Sequence, residues 1–335
     1  MTDDGVLIGR RVAIVGCGGA GRLHAEALTR AGLAPAVLID PHAGRRSDLA
    51  RSFPDAALGA EVGPALDAFD AAVVAVPDEL HAPLAIELLA AGKDVLVDKP
   101  IAGTRAEAEA MAAAAAAAGR ALAVGHVRRH LPVLGSTAAL LRSGSLGKVL
   151  RVDAAHGGRD DWIATSSGYV VGAAGGVIAN QGAHTIDVLA WWFGPLEVVS
   201  CVDDGHGGQE ADATIELLAG DVPLHLQLSR IRSLRNTIRV HTERGLVEVA
   251  LDHYQPAQVV SLPDGVDPAL LHDDPLDLPD QFDRQLVAWS EALDGRWPPT
   301  LATPAQGIVV AALIEACHRV RTTDEPWWMT SAARS

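Results

Sequence analysis

The first part of the chain alternates short apolar runs with longer stretches of helical periodicity. The runs are rich in β-branched residues and carry few polar positions, which is typical of strands buried on both faces of a parallel sheet. Because a helical stretch follows each run, the pattern predicts a doubly wound α/β domain. One of these stretches, residues 111–120, is almost all alanine, and Gly119 is expected to end its helix. The predicted strands lie at residues 11–15, 36–40, 70–76, 94–98 and 121–126.

After a predicted connecting helix at residues 131–144 the pattern changes. Apolar and polar positions alternate and the connections are short, which predicts a mostly antiparallel sheet. Residues 255–280 are rich in proline and aspartate and are expected to form a loop. We therefore predict two domains, residues 1–125 and 126–330, the second an α/β domain with a large open sheet. Its predicted strands lie at 148–156, 197–204, 213–219, 222–230, 236–245 and 246–252, and its last helices at 281–293 and 305–320.

Composition narrows the class of protein. The 335 residues carry a formal net charge of −15 without a basic stripe, and this excludes the clustered Lys and Arg that a nucleic-acid partner needs. No apolar run is long enough for a membrane helix, and the first ten residues lack the features of a signal peptide. Cys17, Cys201 and Cys317 lie far apart without CxxC spacing, so we expect free thiols in a reducing cytoplasm and no zinc site.

A glycine-rich turn follows the first predicted strand and directly precedes a predicted helix. Its glycines form the pattern G-x-G-x-x-G. In this pattern the first glycine permits a tight turn, the second lets a pyrophosphate approach the backbone, and the third lets helix and strand pack closely. The helix N-terminus presents unpaired N–H groups to the phosphates. We expect this turn to bind a dinucleotide through Gly16, Gly18, Gly19, Ala20 and Gly21.

An acidic residue stands where such a site recognises the ribose. Asp40 ends the second predicted strand, 19 residues past Gly21. Its carboxylate would accept hydrogen bonds from both ribose hydroxyls and would repel a 2′-phosphate, which favours NAD over NADP. Arg45 and Arg46 follow closely, and they either bind such a phosphate or are solvated helix residues.

Further candidates follow the third and fourth predicted strands, at the carboxyl edge where open α/β sheets bind ligands. Val76 and Pro77 are expected near a ribose of the cofactor. His81 either contacts the cofactor or is a hydrogen-bonded core histidine. Lys99 precedes Pro100, which restricts Lys99 to an extended backbone. Its ammonium group either stabilises an alkoxide or is solvated on a loop.

The second half of the chain contains the segment GGVIANQGAHTID, residues 175–187. On an α-helix, Asn180, His184 and Asp187 would share one face because their spacing is i, i+4 and i+7. Three interpretations are open: ligands of a metal ion, a catalytic base with its supporting groups, or a helix start capped by Asn180. No HExxH or CxxC motif completes a metal set, so a metal is the least supported of the three.

Together these motifs resemble those of the Gfo/Idh/MocA oxidoreductases, the family of glucose–fructose oxidoreductase and inositol dehydrogenase. The resemblance implies an N-terminal Rossmann domain that binds NAD(P), followed by an α/β domain whose large sheet forms a homodimer or homotetramer interface. It also implies oxidation or reduction of a hydroxyl group of a sugar or cyclitol. The residues that carry the resemblance are Gly16, Gly18, Gly21, Pro77, His81, Ala85, Gly92, Lys93, Val95, Asp98, Lys99, Pro100, Gly175, Gly176, Gly182, His184 and Asp187.

The resemblance assigns roles to individual residues. Lys99 matches the lysine that contacts the reacting oxygen, and His184 matches the histidine that acts as general base. Asn180 stands where many members have aspartate, and its amide can hydrogen-bond a hydroxyl but cannot ionise. Asp98, which we place among the cofactor-binding residues, replaces the commoner glutamate before Lys-Pro. Asp187 is expected behind His184 as a supporting group.

Substrate contacts are expected from Lys99, Asn180 and His184 and from residues on the second domain's side of the cleft. Arg129 lies where the family often has an arginine next to the substrate. Loops at 156–172 and 204–210 are expected to set specificity. The candidates in the first of these loops are Trp162 and Tyr169, with Arg159 and Asp161 beside them.

The activity that the resemblance implies is NAD-dependent oxidation of a secondary ring hydroxyl of a sugar, amino sugar or cyclitol, including amino-sugar steps of antibiotic biosynthesis. His184 would take the hydroxyl proton, since an unperturbed imidazole titrates near about pH 6.5, and Lys99 would stabilise the alkoxide. The acidic balance either serves solubility or favours a substrate with amino groups. The alternatives are a family member that uses tightly bound NAD transiently, as an aldose–aldose oxidoreductase or glycosidase, and a non-catalytic NAD(P)-sensing regulator.

Overall fold

The computed structural model describes residues 9–158, 176–205, 209–250, 258–267 and 278–323. The chain divides into two compact units. The first comprises Met1–Leu131 and Leu276–Ala311, and the second comprises Pro132–Pro275 and Ala312–Ser335. Within the described ranges, no helix has the length and apolar character needed to cross a membrane.

A six-stranded sheet forms the centre of the first unit. Its strands are β1 (Val12–Val15), β2 (Val37–Ile39), β3 (Ala57–Gly59), β4 (Ala71–Val74), β5 (Asp94–Asp98) and β6 (Leu122–Gly125). They lie in the order β3-β2-β1-β4-β5-β6, and every pair is parallel. This is the Rossmann strand order, so the predicted doubly wound sheet is confirmed. No strand was predicted at β3, because two of its three residues are exposed and form no apolar run.

Helices cover both faces of this sheet. Val12 and Ile14 of β1 pack in one apolar cluster with Leu28, whereas Ala13 and Val15 pack in the opposite cluster. β1 and β4 thus bury both of their faces, as their continuous apolar runs predict. The helices between the strands are α1 (Gly19–Arg30), α2 (Ala43–Ala50), α3 (His81–Ala90) and α4 (Arg105–Ala118).

The alanine-rich helix α4 is bounded by local signals. The Thr104 side chain accepts a hydrogen bond from the Glu107 N–H, and the Glu107 carboxylate accepts one from the Thr104 N–H. At the other end Gly119 takes the left-handed conformation, with a φ of 60°. The predicted helix end at Gly119 is confirmed.

The last two helices lie differently from the prediction. We expected both α7 (Leu278–Leu293) and α8 (Pro304–Val320) in the second domain, yet α7 and the part of α8 up to Ala311 belong to the first unit. Leu286 and Trp289 are 2% and 0% exposed, and they pack in the cluster that contains one face of β1. An amphipathic pattern predicts that a helix buries one face, but not which sheet covers it.

An eight-stranded sheet forms the second unit, in the order β13-β12-β11-β7-β10-β9-β8-β14. Only the pairs β7–β10 and β8–β14 are parallel among those described, so the predicted mostly antiparallel sheet is confirmed. The strands are β7 (Val149–Gly157), β8 (Glu197–Asp203), β9 (Asp212–Ala219), β10 (Val222–Ser229), β11 (Thr237–Thr242), β12 (Gly245–Ala250), β13 (Gln258–Ser261) and β14 (Arg321–Thr323), and the helical elements are α5 (Pro132–Arg142), a π-helical turn (Ile178–Gly182) and α6 (Ala183–Phe193).

Two strands of this sheet were not predicted. β13 lies inside the segment 255–280 that we expected to be a loop, and it pairs antiparallel with β12. β14 follows α8 directly and pairs with β8. Both are edge strands of three or four residues, and such short segments carry too little periodicity to be recognised.

The three cysteines are buried free thiols, as predicted. Burial, together with the nearby Asp40 carboxylate, raises the pKa of Cys17 to about 11. Cys201 and Cys317, far apart in sequence, meet in the second unit. A hydrogen bond with the Cys201 side chain, followed by burial, raises the pKa of Cys317. A raised pKa disfavours the thiolate, the reactive form, at Cys17 and Cys317.

Leu286→Ala is expected to destabilise the first unit by about 2–5 kcal/mol, because it leaves a cavity in the cluster beside β1. Val287→Ala is the matched control, since the Val287 side chain on the same helix is 41% exposed. It should change the free energy of unfolding by less than about 0.5 kcal/mol. Urea unfolding is followed with and without NAD, because bound NAD stabilises the unit that contains the glycine turn and so identifies its transition. A loss of stability confined to the transition that NAD leaves unchanged would contradict the placement of α7 in the first unit.

Candidate active site

The turn after β1 is tight because its first glycine lies against the neighbouring strand. Gly16 has a φ of 99°, which favours glycine, and a Cβ at this position would overlap the Ala75 carbonyl oxygen. The Gly16 N–H donates to the Ile39 carbonyl oxygen at 2.7 Å. The turn therefore joins the ends of β1, β2 and β4, and no larger residue fits there.

The other glycines of the motif have two roles: one lets α1 pack on the turn, and the others leave space beside the backbone for a ligand. A Cβ on Gly21 would overlap the Gly16 carbonyl oxygen, so α1 packs on the turn only with glycine there. Around Gly18 and Gly19, no described atom lies within 4 Å of an added Cβ. Helix α1, with Ala20 in its first turn, begins without a side-chain cap or an acidic residue, which leaves its first N–H groups for an anion. The turn fits the pyrophosphate of a dinucleotide.

Asp40 is held beside this turn by its own hydrogen bonds. One carboxylate oxygen accepts the Cys17 N–H at 2.9 Å, and the other accepts the His42 N–H at 2.8 Å. Each carboxylate oxygen has a second lone pair, which leaves acceptor capacity for ribose hydroxyls. The Arg46 guanidinium donates to the Asp40 backbone oxygen, whereas Arg45 is exposed. Arg46 thus hydrogen-bonds the backbone of the residue that is expected to bind the ribose, and it is not simply a solvated helix residue.

The loop after β4 carries Val76 and Pro77, which we expected near the cofactor, and then Asp78. Oδ2 of Asp78 is buried and has no hydrogen-bond partner among the described residues. Burial raises the pKa of Asp78, and the charge of His81 opposes this. A buried oxygen of this kind is stabilised by a ligand that hydrogen-bonds it, as a ribose hydroxyl would.

His81 joins two loops of the site. It is buried, and its Nδ1 lies 2.8 Å from the Pro100 carbonyl oxygen and its Nε2 lies 2.9 Å from the Val76 carbonyl oxygen. Both ring nitrogens thus lie within hydrogen-bond distance of backbone carbonyls, which agrees with the interpretation of His81 as a hydrogen-bonded core histidine. His81 thereby fixes the loop after β4 to the segment that contains Lys99.

Lys99 directly follows β5 and is partly buried. Its N–H donates to Oδ1 of Asp98 at 2.7 Å, and the bond between Lys99 and Pro100 is cis. The segment thereby places Lys99 at the carboxyl edge of the sheet, together with the glycine turn. A contact between Asp98 and the cofactor stays a prediction.

The segment that carries Asn180 and His184 is helical throughout, but its first part is a π-helical turn. The Asn180 N–H donates to the Gly176 carbonyl oxygen at 3.1 Å, so Asn180 lies inside the helix and does not cap it. The expected regular α-helical spacing from Asn180 to Asp187 is interrupted by this turn. Such π-helical insertions occur often at functional sites.

Two polar residues of this segment remain accessible. Between Gly176 and Leu189 every residue is buried except Asn180 and His184, which are partly exposed. Asp187 is buried, as expected of a supporting group. In the described part of the chain, no three His, Cys, Asp or Glu side chains are grouped as a metal site requires.

Close packing holds the segment against its surroundings. A Cβ on Gly182 would lie 2.8 Å from the Leu228 side chain of β10, so glycine lets the helix approach the sheet. A Cβ on Gly176 would overlap the carboxylate of Glu210, whose Oε1 accepts the Ile178 N–H at 3.0 Å. No sequence motif indicated Glu210, because its partner lies 32 residues away.

Arg129 lies in the first unit and is hydrogen-bonded within it, and its contact with the substrate stays a prediction. It is 2% exposed, and its guanidinium donates to Oε1 of Gln306 at 2.8 Å. Its place in the sequence between the predicted domains gave no sign of this distant partner. The candidates Trp162 and Tyr169, with Arg159, Asp161 and Gly175, lie outside the described residues.

Both halves of the chain match models of one protein family. Residues 10–126 match the oxidoreductase family with an NAD-binding Rossmann fold, and residues 136–248 match the Gfo/Idh/MocA C-terminal domain. These two regions contain the glycine turn, Asp40, Lys99, Asn180 and His184.

Individual relatives agree with these matches. The chain is 31% identical over 189 residues to inositol 2-dehydrogenase 2 of Saccharopolyspora erythraea, covering 55% of this chain and 53% of that protein. It is 28% identical over 337 residues to inositol 2-dehydrogenase 1 of the same organism, covering 94% and 95%. The alignments with the first curated relatives span about half the length of those proteins.

Among solved structures, that of GenD2 from gentamicin A biosynthesis in complex with NAD is similar, with a TM-score of 0.73 and 26% identity, covering 96% of this chain and 97% of that one. The family models cover more than half of the chain, and they agree with the strand order and the glycine turn. The chain therefore belongs to the Gfo/Idh/MocA family of oxidoreductases, and its first unit is an NAD-binding Rossmann domain.

Proposed function

We propose that the protein is an NAD-dependent dehydrogenase that oxidises a secondary ring hydroxyl of a sugar, amino sugar or cyclitol. The observation that carries the proposal is the surface of the π turn and α6, where Asn180 and His184 are the accessible residues of a buried segment. Family membership supports the reaction type. Similarity to two inositol 2-dehydrogenases supports a cyclic substrate with several hydroxyl groups.

The proton chemistry of this proposal is assigned to His184. A neutral ring nitrogen of His184 takes the hydroxyl proton, while bound NAD⁺ accepts the hydride. Lys99 donates a hydrogen bond from its ammonium group to the same oxygen and stabilises the negative charge that develops there. Asn180 cannot ionise, so it orients the substrate by hydrogen-bonding a hydroxyl.

The choice of lysine at position 99 supports this role. The chain has 27 lysines and arginines, of which only Lys93, Lys99 and Lys148 are lysine. Lys93 donates a hydrogen bond to the Phe69 carbonyl oxygen, and Lys148 is exposed. An ammonium group is a compact donor that can release its proton, whereas a guanidinium group cannot. A lysine after β5 in this arginine-rich chain therefore fits a proton-relay or alkoxide-stabilising role.

Two observations support an amino sugar of antibiotic biosynthesis as the substrate class. The net charge of −15 attracts cationic ligands and raises their local concentration. The similarity to GenD2 from gentamicin A biosynthesis points to the same setting.

Lys99→Met and His184→Ala are expected to lower kcat by about 100- to 10,000-fold, because each removes a group from the proton chemistry. The control is Lys148→Met, which removes a lysine from an exposed position outside the site. The measurement is NADH absorbance with inositols, aldoses, nucleotide sugars and aminoglycosides. Full activity in Lys99→Met and His184→Ala would contradict the assigned roles.

Retention of NAD, nucleotide binding and substrate conversion separate this function from its alternatives. NAD that stays bound through gel filtration, with substrate converted and no net NADH formed, would indicate an aldose–aldose oxidoreductase or an NAD-dependent glycosidase. Nucleotide binding without conversion of any substrate would indicate an NAD(P)-sensing regulator.

Asp40→Asn is expected to raise the Kd for NAD about tenfold, because the ribose loses a charged hydrogen-bond acceptor. The Kd for NADP should fall, since the charge that repels a 2′-phosphate is removed and Arg46 remains. Asp48→Asn is the control, because Asp48 is an exposed carboxylate on α2 that pairs with Arg51. Isothermal titration calorimetry measures the affinities of all three proteins for NAD and for NADP. Tighter binding of NADP than of NAD by the wild type would contradict the role of Asp40.

We also propose that the protein is a cytoplasmic homodimer or homotetramer that assembles through the large sheet. On one face of this sheet, acidic and basic side chains alternate in register across five neighbouring strands. The row consists of Glu216, His225, Asp153, Arg239 and Glu248, in the order β9, β10, β7, β11, β12. Such a row can pair with the same row of a second copy, displaced by one strand. The free thiols support the reducing compartment.

Asp153→Arg is expected to weaken self-association, because it replaces the acidic side chain between His225 and Arg239 with a positively charged one. Multi-angle light scattering should give two or four times 34.9 kDa for the wild type and a lower mass for the variant. Asp48→Arg on α2 should behave as the wild type. A wild type of 34.9 kDa would contradict assembly through the sheet.

A further inference from the structure

The segment with Asn180 and His184 begins at a buried carboxylate from a distant part of the chain. Glu210 is 3% exposed. Its Oε1 accepts the Ile178 N–H at 3.0 Å, and its backbone oxygen accepts the Val177 N–H at 2.9 Å. The first N–H groups of a helix have no partner within the helix. Since no side chain of the segment's own cap residue provides one, Glu210 takes that role for both groups.

A second charged side chain holds the same point from the other direction. The guanidinium of Arg230, which is also buried, donates to the Gly176 carbonyl oxygen at 3.1 Å. A Cβ on Gly176 would overlap the Glu210 carboxylate, so glycine lets the acid reach the helix start. Glu210 and Arg230 together determine where the helix begins.

The environment keeps Glu210 ionised. Burial alone would raise the pKa of Glu210, but the His318 side chain and the Ile178 N–H oppose burial and lower it overall. The His318 Nε2 lies 3.8 Å from Oε1, which is an ion-pair distance and too long for a strong hydrogen bond. A carboxylate at a helix N-terminus is further stabilised by the partial positive charge there.

The contact between Glu210 and the Ile178 N–H lies only a few residues before the accessible side chains of Asn180 and His184. Ile178 opens the π-helical turn, Asn180 lies in that turn, and His184 follows in the first turn of α6. A π turn is less regular than an α-helix and depends on its surroundings for its geometry. A shift at Ile178 therefore moves Asn180 and His184 together, without a change in either residue.

We propose that Glu210 is a positioning residue, which acts through the Ile178 N–H to set where Asn180 and His184 meet the substrate. The proposal rests on the proposed function for the roles of Asn180 and His184. Glu210 itself touches neither reacting atom. Its loss is expected to affect the substrate step and to leave NAD binding unchanged, because the glycine turn and Asp40 belong to the other unit.

Two conservative variants separate the parts of this role. Glu210→Asp shortens the side chain and withdraws the carboxylate from the Ile178 N–H, but keeps the charge and the backbone acceptor for the Val177 N–H. Glu210→Gln keeps the length and a carbonyl oxygen for the Ile178 N–H, but removes the charge. Glu243→Asp is the matched control, because the carboxylate of the exposed Glu243 also accepts a backbone N–H in the second unit, that of Lys148 at 2.9 Å.

Hydrogen exchange of single amides tests the anchor without a substrate. In Glu210→Asp, exchange of the Ile178 amide should rise at least about tenfold, whereas that of Val177 should stay within about twofold of the wild type. Glu210→Gln should restore Ile178 protection to within about threefold, and Glu243→Asp should match the wild type at Ile178. Unchanged exchange at Ile178 in Glu210→Asp would overturn the proposal, and so would an equal rise throughout the sheet.

Kinetics with an active substrate test the consequence. Glu210→Asp should lower kcat at least about tenfold with an unchanged KM for NAD, and Glu210→Gln should recover most of the loss. Faster exchange of the Ile178 amide with an unchanged kcat would overturn the proposal that Glu210 positions Asn180 and His184. A wild type without dehydrogenase activity would contradict the proposed function, and the exchange result would still decide whether Glu210 anchors the segment.

Discussion

The parallel pairing of the first six strands is the constraint on which the cofactor site depends. Parallel strands end at the same edge of the sheet, so residues that are distant in sequence meet there. Gly16, Asp40, Asp78 and Lys99 all follow the ends of such strands. His81 then ties the loop after β4 to the one after β5 through two backbone carbonyls. Topology thus brings the groups together, and one buried ring fixes two of their loops.

In the second unit the corresponding constraint is the burial of charge. Glu210 and Arg230 are ionisable groups in a nearly dry environment, and such groups are stable only with close partners. Those partners are the backbone groups at the start of the helix that carries Asn180 and His184. The cost of burying these charges is offset by hydrogen bonds that also give the helix one defined starting point. Stability and the placement of the candidate base therefore depend on the same contacts.

Features whose cause lies within a few residues were predicted well. The glycine turn follows from the sterics of one strand, one turn and one helix, and the end of α4 follows from Gly119. Family motifs added what spacing left open, namely the roles of Lys99 and His184. Features whose cause lies elsewhere in the chain were predicted poorly. Arg129 stands where the family often has an arginine next to the substrate. Nothing in its neighbourhood in the sequence indicated that its side chain is buried, or that its partner Gln306 lies 177 residues away.

The sequence by itself determined the Rossmann sheet, the dinucleotide turn, the mostly antiparallel second sheet and the residues that carry the family resemblance. These depend on periodicity and on local sterics, which a short stretch of chain contains completely. The tertiary structure decided that α7 covers the first sheet, that a π turn interrupts the helix at Asn180, and that Glu210 anchors that helix. Periodicity tells which face of a helix is buried, but only the fold determines which surface covers it. Likewise, a charged residue shows its role only when its distant partners are in place.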